Sequence, residues 1–195
     1  YCRIVPPARL DAAPRWLNVH PSLLPLCRGA TPIQTAIRDG RCFTGVSVIA
    51  MDAGMDTGDL LGQTEPLAIA EDETYGALHD RLAEIGAELL GDVLAADARR
   101  ELVRIPQAGR AHELGIDDEE IARTLTRPLT KDDRVLPPYA TAREAVDRVR
   151  SLAPKPGARL IAGLRPAVGN TPLPTLTILR AHASRQSPLA VTISI

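Results

Sequence analysis

"NVHPSLLPLCRGATPIQTAIRDG", residues 18 to 40, decides how the chain is read. Side chains along a strand point alternately to its two faces, so Asn18 and His20 share one face and Leu17 and Val19 the other. Pro21 stops that strand, and Pro25 punctuates the loop after it. From Thr31 the pattern becomes helical. Thr31 fits the capping position, Pro32 the first helical position, Gln34 the reciprocal position of a capping box, and Gly40 the stop. An amide and an imidazole therefore stand roughly 6 to 7 Å apart at the C-terminal end of a strand, the end where open α/β sheets bind ligands. For such a pair alone, a capping asparagine and a structural histidine are the more ordinary reading.

Working outward, "YCRIVPP" reads as a strand at residues 2 to 5 running into a loop, "TGVSVIAM" (44 to 51) as a buried strand, and "DLLGQTEPL" (59 to 67) as its partner. From Thr74 to about Ala96, Leu78, Leu82, Ile85, Leu89 and Val93 recur at helical spacing and give a long amphipathic helix. Strand, helix, strand, strand, helix makes an α/β domain. Beyond Arg99 prolines become frequent and segments shorten, so residues 99 to 112 read as a linker. Asp117 with Glu120, and Thr141 with Glu144, open two further short helices. "ARLIAGLRPAV", "LPTLTILRAHA" and "LAVTISI" read as strands of a small β-rich module.

The composition suits a globular protein: 195 residues, 45% of them hydrophobic. No apolar stretch reaches bilayer length, and Arg3, Pro6 and Pro7 interrupt the opening run, so neither a membrane span nor a secretory signal is read and a cytoplasmic location is expected. Cys2, Cys27 and Cys42 are odd in number and lack metal-ligand spacing, which disfavours a disulfide framework or zinc site. Residues 1 to 98 hold 7 Lys plus Arg against 14 Asp plus Glu, a net −7, and residues 99 to 195 carry +6. A basic half is what an RNA-contacting module needs, and a solvated arginine-rich surface would look the same.

"MDAGMDTGD", residues 51 to 59, supplies Asp52, Asp56 and Asp59 in a glycine-bearing loop between strands. A carboxylate from it is expected to bond His20 and raise its pKa, making the protonated ring available near neutral pH. A metal held by His20 and two of these aspartates is disfavoured, because no second histidine lies nearby. Amide, imidazole and carboxylate, with no adjacent Ser, Cys or Lys nucleophile, suit direct transfer of a small carbonyl group between two bound substrates. Asn18 and an imidazolium at His20 would then stabilise the oxyanion of a tetrahedral intermediate.

The ordered set Asn-x-His, Ser-Leu-Leu-Pro, Arg-Gly-Ala-x-Pro-Ile, Thr-Gly-Val and Met-Asp-x-Gly-x-Asp-Thr-Gly-Asp resembles the formyltransferases that use 10-formyltetrahydrofolate. The resemblance covers about residues 1 to 98 and extends more weakly through "PLTKDDRV" and "RVRSLAPKPGARL". It implies a partial Rossmann-like formyltransferase domain at 1 to 102, and at 103 to 195 a linker with a small OB-like barrel that helps hold tRNA. Asn18, His20 and Asp56 match the family's catalytic groups. Ser22, Leu23, Leu24 and Pro25 match its folate-contacting segment, and Ile4, Val5 and Pro6 fall at its pteridine wall. Leu26 and Cys27 stand where family members commonly carry a basic and an aromatic residue, and Lys155 where an aromatic is common.

The implied donor is 10-formyltetrahydrofolate, with no metal. The implied acceptor is the amino group of initiator methionyl-tRNA, and the expected state is a monomer. A sugar-nucleotide or ribonucleotide amine as acceptor, or a catalytically silent RNA-binding remnant, are the alternatives. Because the chain starts at Tyr1 inside an apolar run and ends in one at Ile195, it reads as a piece cut at both ends. Strands deprived of sheet neighbours are expected to leave that piece poorly folded or inactive by itself.

Overall fold

The computed structural model describes residues 16–137, 141–161, 175–178, 180–183 and 191–194, so the expected strand at residues 2 to 5 lies outside the described residues. The alternating stretch at Asn18 forms β1 (Leu17–His20), which pairs antiparallel with β3 (Ser47–Ala50), and β3 pairs antiparallel with β4 (Leu60–Gln63). The strand expected over 44 to 51 divides in two. β2 (Phe43–Thr44) pairs with β5 (Leu67–Ala68), whereas β3 pairs with β4, and between them the Val46 N–H donates to Thr64 Oγ1 at 3.1 Å. The break falls where the chain changes partners.

Helix α1 (Pro32–Arg38) and helix α2 (Tyr75–Ala98) lie where the pattern places them. The Thr74 hydroxyl caps α2 by accepting from the Ala77 N–H, and Leu78, Leu82 and Val93 form its buried stripe. Leu78 and Leu82 close on Ile33, Ile37 and Val46, while Val93 closes on Val48 and Leu61 across the sheet. Each such side chain contributes about 1.5–3 kcal/mol by leaving water. A cavity of about 380 Å³ opens between α2 and the Val19 side of β1, the side away from Asn18 and His20.

The expected linker at 99 to 112 is structured. Ile105 exchanges two 2.9 Å backbone hydrogen bonds with Leu60, and α3 (Gln107–Leu114) follows at once. Sequence periodicity misses it because its anchors are distant partners rather than an apolar face of its own. The next helix, α4 (Asp118–Arg123), is capped by Asp117 as its spacing indicates. The chain then returns to the first half, where the Thr126 N–H donates to Arg28 O at 2.7 Å.

Helix α5 (Ala142–Leu152) carries a complete Thr141–Glu144 capping box and packs against α1. With it, Leu136, Val149, Leu152, Ala158 and Ile178 make a second core. The described strands beyond α5 form two antiparallel pairs: β6 (Ala158–Ile161) with β7 (Thr175–Ile178), and β8 (Arg180–Ala183) with β9 (Val191–Ser194). Among the described residues no helix is long and apolar enough to cross a membrane.

Candidate active site

β1 delivers Asn18 and His20 to one face, and the 51–59 loop brings Asp56 to meet them from 38 residues further on. Asn18 Nδ2 donates to Asp56 Oδ1 at 3.1 Å, and His20 Nδ1 stands 3.6 Å from Asp56 Oδ2. The same Oδ2 accepts the Gly29 N–H at 2.9 Å. Of the loop's other aspartates, Asp52 accepts from the Gly54 N–H at 3.0 Å and the Thr57 hydroxyl at 2.7 Å, which folds the loop upon itself. The three residues expected to act together are thus in contact.

His20 is 3% exposed, and its second nitrogen, Nε2, lies 3.1 Å from the carbonyl oxygen of Cys27. Both ring nitrogens therefore face acceptors, an arrangement that only an imidazolium satisfies in full. Burial opposes that charge and wins: it drives the His20 pKa below its ordinary value, against the upward pull of Asp56 and the Cys27 carbonyl. Asp56 pulls upward as expected, but burial outweighs it, which corrects the expectation that the protonated ring is available near neutral pH. The ring at rest near neutral pH is neutral, with one nitrogen free to take a proton.

Two residues next to His20 are left-handed without being glycine: Cys27 at φ 59° and Asp56 at φ 56°. Such backbone costs roughly 1–2 kcal/mol for an L-residue and persists only when surroundings hold it. Each holds one of the two groups that face the imidazole, and each is fixed by a side chain from beyond the sheet. The Cys27 N–H donates to Thr124 Oγ1 at 3.1 Å. The Asp56 carbonyl accepts from Gln107 Nε2 at 2.8 Å, as does the Gly58 carbonyl at 2.8 Å. Gln107 Oε1 in turn accepts from Arg28, at 3.0 Å from Nε and 2.6 Å from Nη2. Burial lowers the pKa of Arg28, with Asp52 and Asp56 pulling the other way.

Gly29 occupies φ 111°, and a Cβ there would strike the Thr126 carbonyl, so this approach of the two halves requires glycine. Gln107 and Thr124 are absent from the sequence-based site and no local pattern signals them, while Arg28 stands in the Arg-Gly-Ala-x-Pro-Ile motif without a role assigned to it. The partners that tie them to the site lie 49 to 97 residues away.

The segment from Ser22 to Pro25 is a turn whose polar groups are spent internally. Ser22 Oγ donates to Leu26 O at 2.7 Å, Ser47 Oγ to Ser22 O at 2.7 Å, and Gln63 Nε2 to Leu24 O at 2.9 Å. Leu24 is fully buried against Ile49 and Leu60, Pro25 is buried too, and Leu23 is half-buried. Ile4, Val5 and Pro6 lie outside the described residues.

The formyl transferase family model matches residues 1–94. The chain is 42% identical over 159 residues to a methionyl-tRNA formyltransferase of Koribacter versatilis, across 81% of this chain and 47% of the relative. It is 40% identical over 190 residues to one from a Methylobacterium species, across 96% of this chain and 55% of the relative. The chain thus spans about half the length of the curated relatives it matches. Among solved structures, HypX from Aquifex aeolicus in complex with tetrahydrofolic acid superposes with a TM-score of 0.69 at 16% identity, over 96% of this chain and 30% of HypX. That last likeness establishes a shared fold.

Proposed function

We propose that the chain, which the formyl transferase family model matches over residues 1–94, carries the reaction centre of an enzyme that formylates methionyl-tRNA with 10-formyltetrahydrofolate as donor. The observation that carries this reading is the convergence of Asn18, His20 and Asp56, the last two joined across 3.6 Å and the first and last across 3.1 Å. In the proposed reaction the free amine attacks the formyl carbon. The carbonyl π pair moves to oxygen, and the oxyanion accepts hydrogen bonds from the Asn18 amide and, once His20 has taken a proton, from the imidazolium. His20, neutral at rest, takes the proton that the attacking nitrogen must lose, and the neighbouring Asp56 carboxylate stabilises the imidazolium so formed. Collapse of the intermediate breaks the bond to the folate nitrogen, which receives the proton back.

Ser22, Leu23, Leu24 and Pro25, with Ile4, Val5 and Pro6, are assigned to the donor pocket. The buried, internally bonded turn at 22 to 25 supports a rigid wall there, with Leu23 as its accessible side chain. Residues 1 to 102 are assigned to catalysis and 103 to 195 to a linker and an OB-like, tRNA-contacting unit. The +6 charge of the second half favours a phosphate-reading surface. The enzyme would work as a cytoplasmic monomer in translation initiation, without a metal.

The test is transfer of a labelled formyl group to methionyl initiator tRNA, by a full-length protein that carries this chain and by its His20→Ala variant. Loss of about 10²- to 10⁴-fold in kcat is the expected result for removal of a positioned proton acceptor. A parent that binds this tRNA and transfers nothing, or a variant as fast as the parent, defeats the reading. Turnover with a sugar amine in place of the tRNA would transfer the assignment to that acceptor.

A further inference from the structure

We infer that Gln107 is a positioning residue, holding Asp56 in the left-handed conformation that aims its carboxylate at Asn18 and His20. The inference rests on the formyl-transfer reading for its purpose, and on geometry alone for its content. Gln107 is 4% exposed, and its amide is fully used: two donations from Nε2, to the carbonyls of Asp56 and Gly58, and two acceptances at Oε1 from Arg28. The orientation of the amide is unambiguous, since a flipped amide would set its oxygen against two carbonyl oxygens and its NH2 against a guanidinium.

The Asp56 carbonyl precedes the Thr57 peptide and fixes its plane, so a donor clamped on it fixes the ψ of Asp56. Its φ of 56° is a conformation that an aspartate leaves readily when nothing holds it. The second anchor, on Gly58, grips the far end of the same bend. From that bend the carboxylate reaches three groups: Asn18 Nδ2, the Gly29 N–H and the imidazole. Gln107 touches none of these and no reacting atom. It acts through Asp56 and belongs to α3, outside the residues matched by the family model.

Arg28 completes the device. Its guanidinium holds the amide oxygen, so the amide hydrogens stay on the loop, and its own residue precedes Gly29. The 28–29 turn, the 56–58 bend and α3 are therefore one bonded unit. Thr124 does for Cys27, on the other side of the ring, what Gln107 does for Asp56.

The experiment uses the full chain with Gln107→Met, near the same size but unable to clamp, and Gln107→Glu, which keeps the Arg28 partner and replaces both donors by acceptors. Two readouts require no substrate: amide exchange at Gly29, whose N–H is covered by Asp56, and the NMR titration of His20. Expected in both variants is at least about tenfold faster Gly29 exchange, as a protecting hydrogen bond is opened. In Gln107→Met the His20 midpoint moves further down, because the one carboxylate raising it has withdrawn. Where transfer is measurable, kcat falls with KM little changed.

Unchanged Gly29 exchange in the variants overturns the inference, whatever their melting temperatures. A full-length parent that transfers no formyl group, with variants that show the Gly29 and His20 changes, fails the functional reading and keeps the positioning role. Should Gln107→Met not fold, the Gly29 amide in Gln107→Glu decides in the same way.

Discussion

Two helices of this molecule begin with a threonine followed three residues later by a side chain able to reach back, and they use it differently. In α5 the Thr141 hydroxyl accepts from the Glu144 N–H and the Glu144 carboxylate reaches the Thr141 N–H at 2.8 Å, so the helix start is satisfied within itself. In α1 the Thr31 side chain makes no cap. It donates instead to Arg127 O at 2.9 Å, while the Thr31 N–H donates to Thr126 Oγ1 at 3.0 Å. The contrast extends to the surroundings of each helix. Around α5 the ion pairs of Asp147 are local, with Arg143 at 2.9 Å and Arg150 at 2.8 Å, although Arg143 also reaches Glu71 at 2.8 Å and Arg150 the Ala70 and Glu73 carbonyls at 3.2 Å. Around α1 and β1 the polar groups reach across 27 to 97 residues. Local bonds stabilise a helix; distant ones assemble a site.

The largest expected effect tests the local side. Asp147 and Arg150 have side chains only 5% and 6% exposed, and removing one partner strands a buried charge. Asp147→Ala is expected to cost about 3–5 kcal/mol of stability, read by urea unfolding. The variant should still show parental Gly29 amide exchange while folded. Faster exchange there would mean that α5 and the site are not energetically separate, and would break the comparison.

A smaller effect lies in the dependence on pH. Burial lowers the folded pKa of His20 below 6.5, so between those two values the unfolded chain binds the additional proton. Stability from this group is complete above pH 6.5 and declines as pH falls toward the folded pKa. His20→Gln is expected to flatten that decline in melting curves taken between pH 7.5 and 5. Asp133 cannot supply the same slope. Its hydrogen bond with Arg127 holds its carboxyl far below the ordinary carboxylate range, and its contribution is lost only as pH falls below 3.8. A parent with a slope identical to that of His20→Gln would remove burial of a neutral imidazole as the feature that sets the site apart.

The same division governs what the sequence disclosed. β1, the amphipathic stripe of α2 and the capping box of α5 rest on residues within a turn or two of one another, and their spacing is visible in the chain. Asn18 and His20 were readable from strand alternation, with Asp52, Asp56 and Asp59 as candidate carboxylate partners, and the resemblance singled out Asp56. Gln107 and Thr124 were not readable, because nothing in "PQAG" or "ARTL" says which carbonyl or amide an α3 or α4 side chain will meet. The left-handed backbone at Cys27 and Asp56 was hidden too, since neither is glycine. The expected cap at Thr31 failed for the reverse reason: a local rule was legible, and a tertiary partner outbid it.

The smallest expected effect sharpens this most. Thr141→Ala and Thr31→Val each remove one hydroxyl from a helix start, and each should cost about 1 kcal/mol. Equal costs with different destinations are what the two arrangements require. Loss of the Thr141 hydroxyl should speed amide exchange at Glu144 and leave the seam between residues 28 and 127 untouched. Loss of the Thr31 hydroxyl should leave α1 itself helical, because Pro32 at its start needs no partner for the donor it lacks. Its consequence should appear at Thr126, whose N–H donates to Arg28 O, and then at Gly29 beside it. If Thr31→Val instead frays the first turn of α1 and leaves Thr126 exchange at the parental rate, the threonine is serving its own helix after all. The distinction between a locally satisfied helix and one docked by distant bonds would then fail at its most direct test.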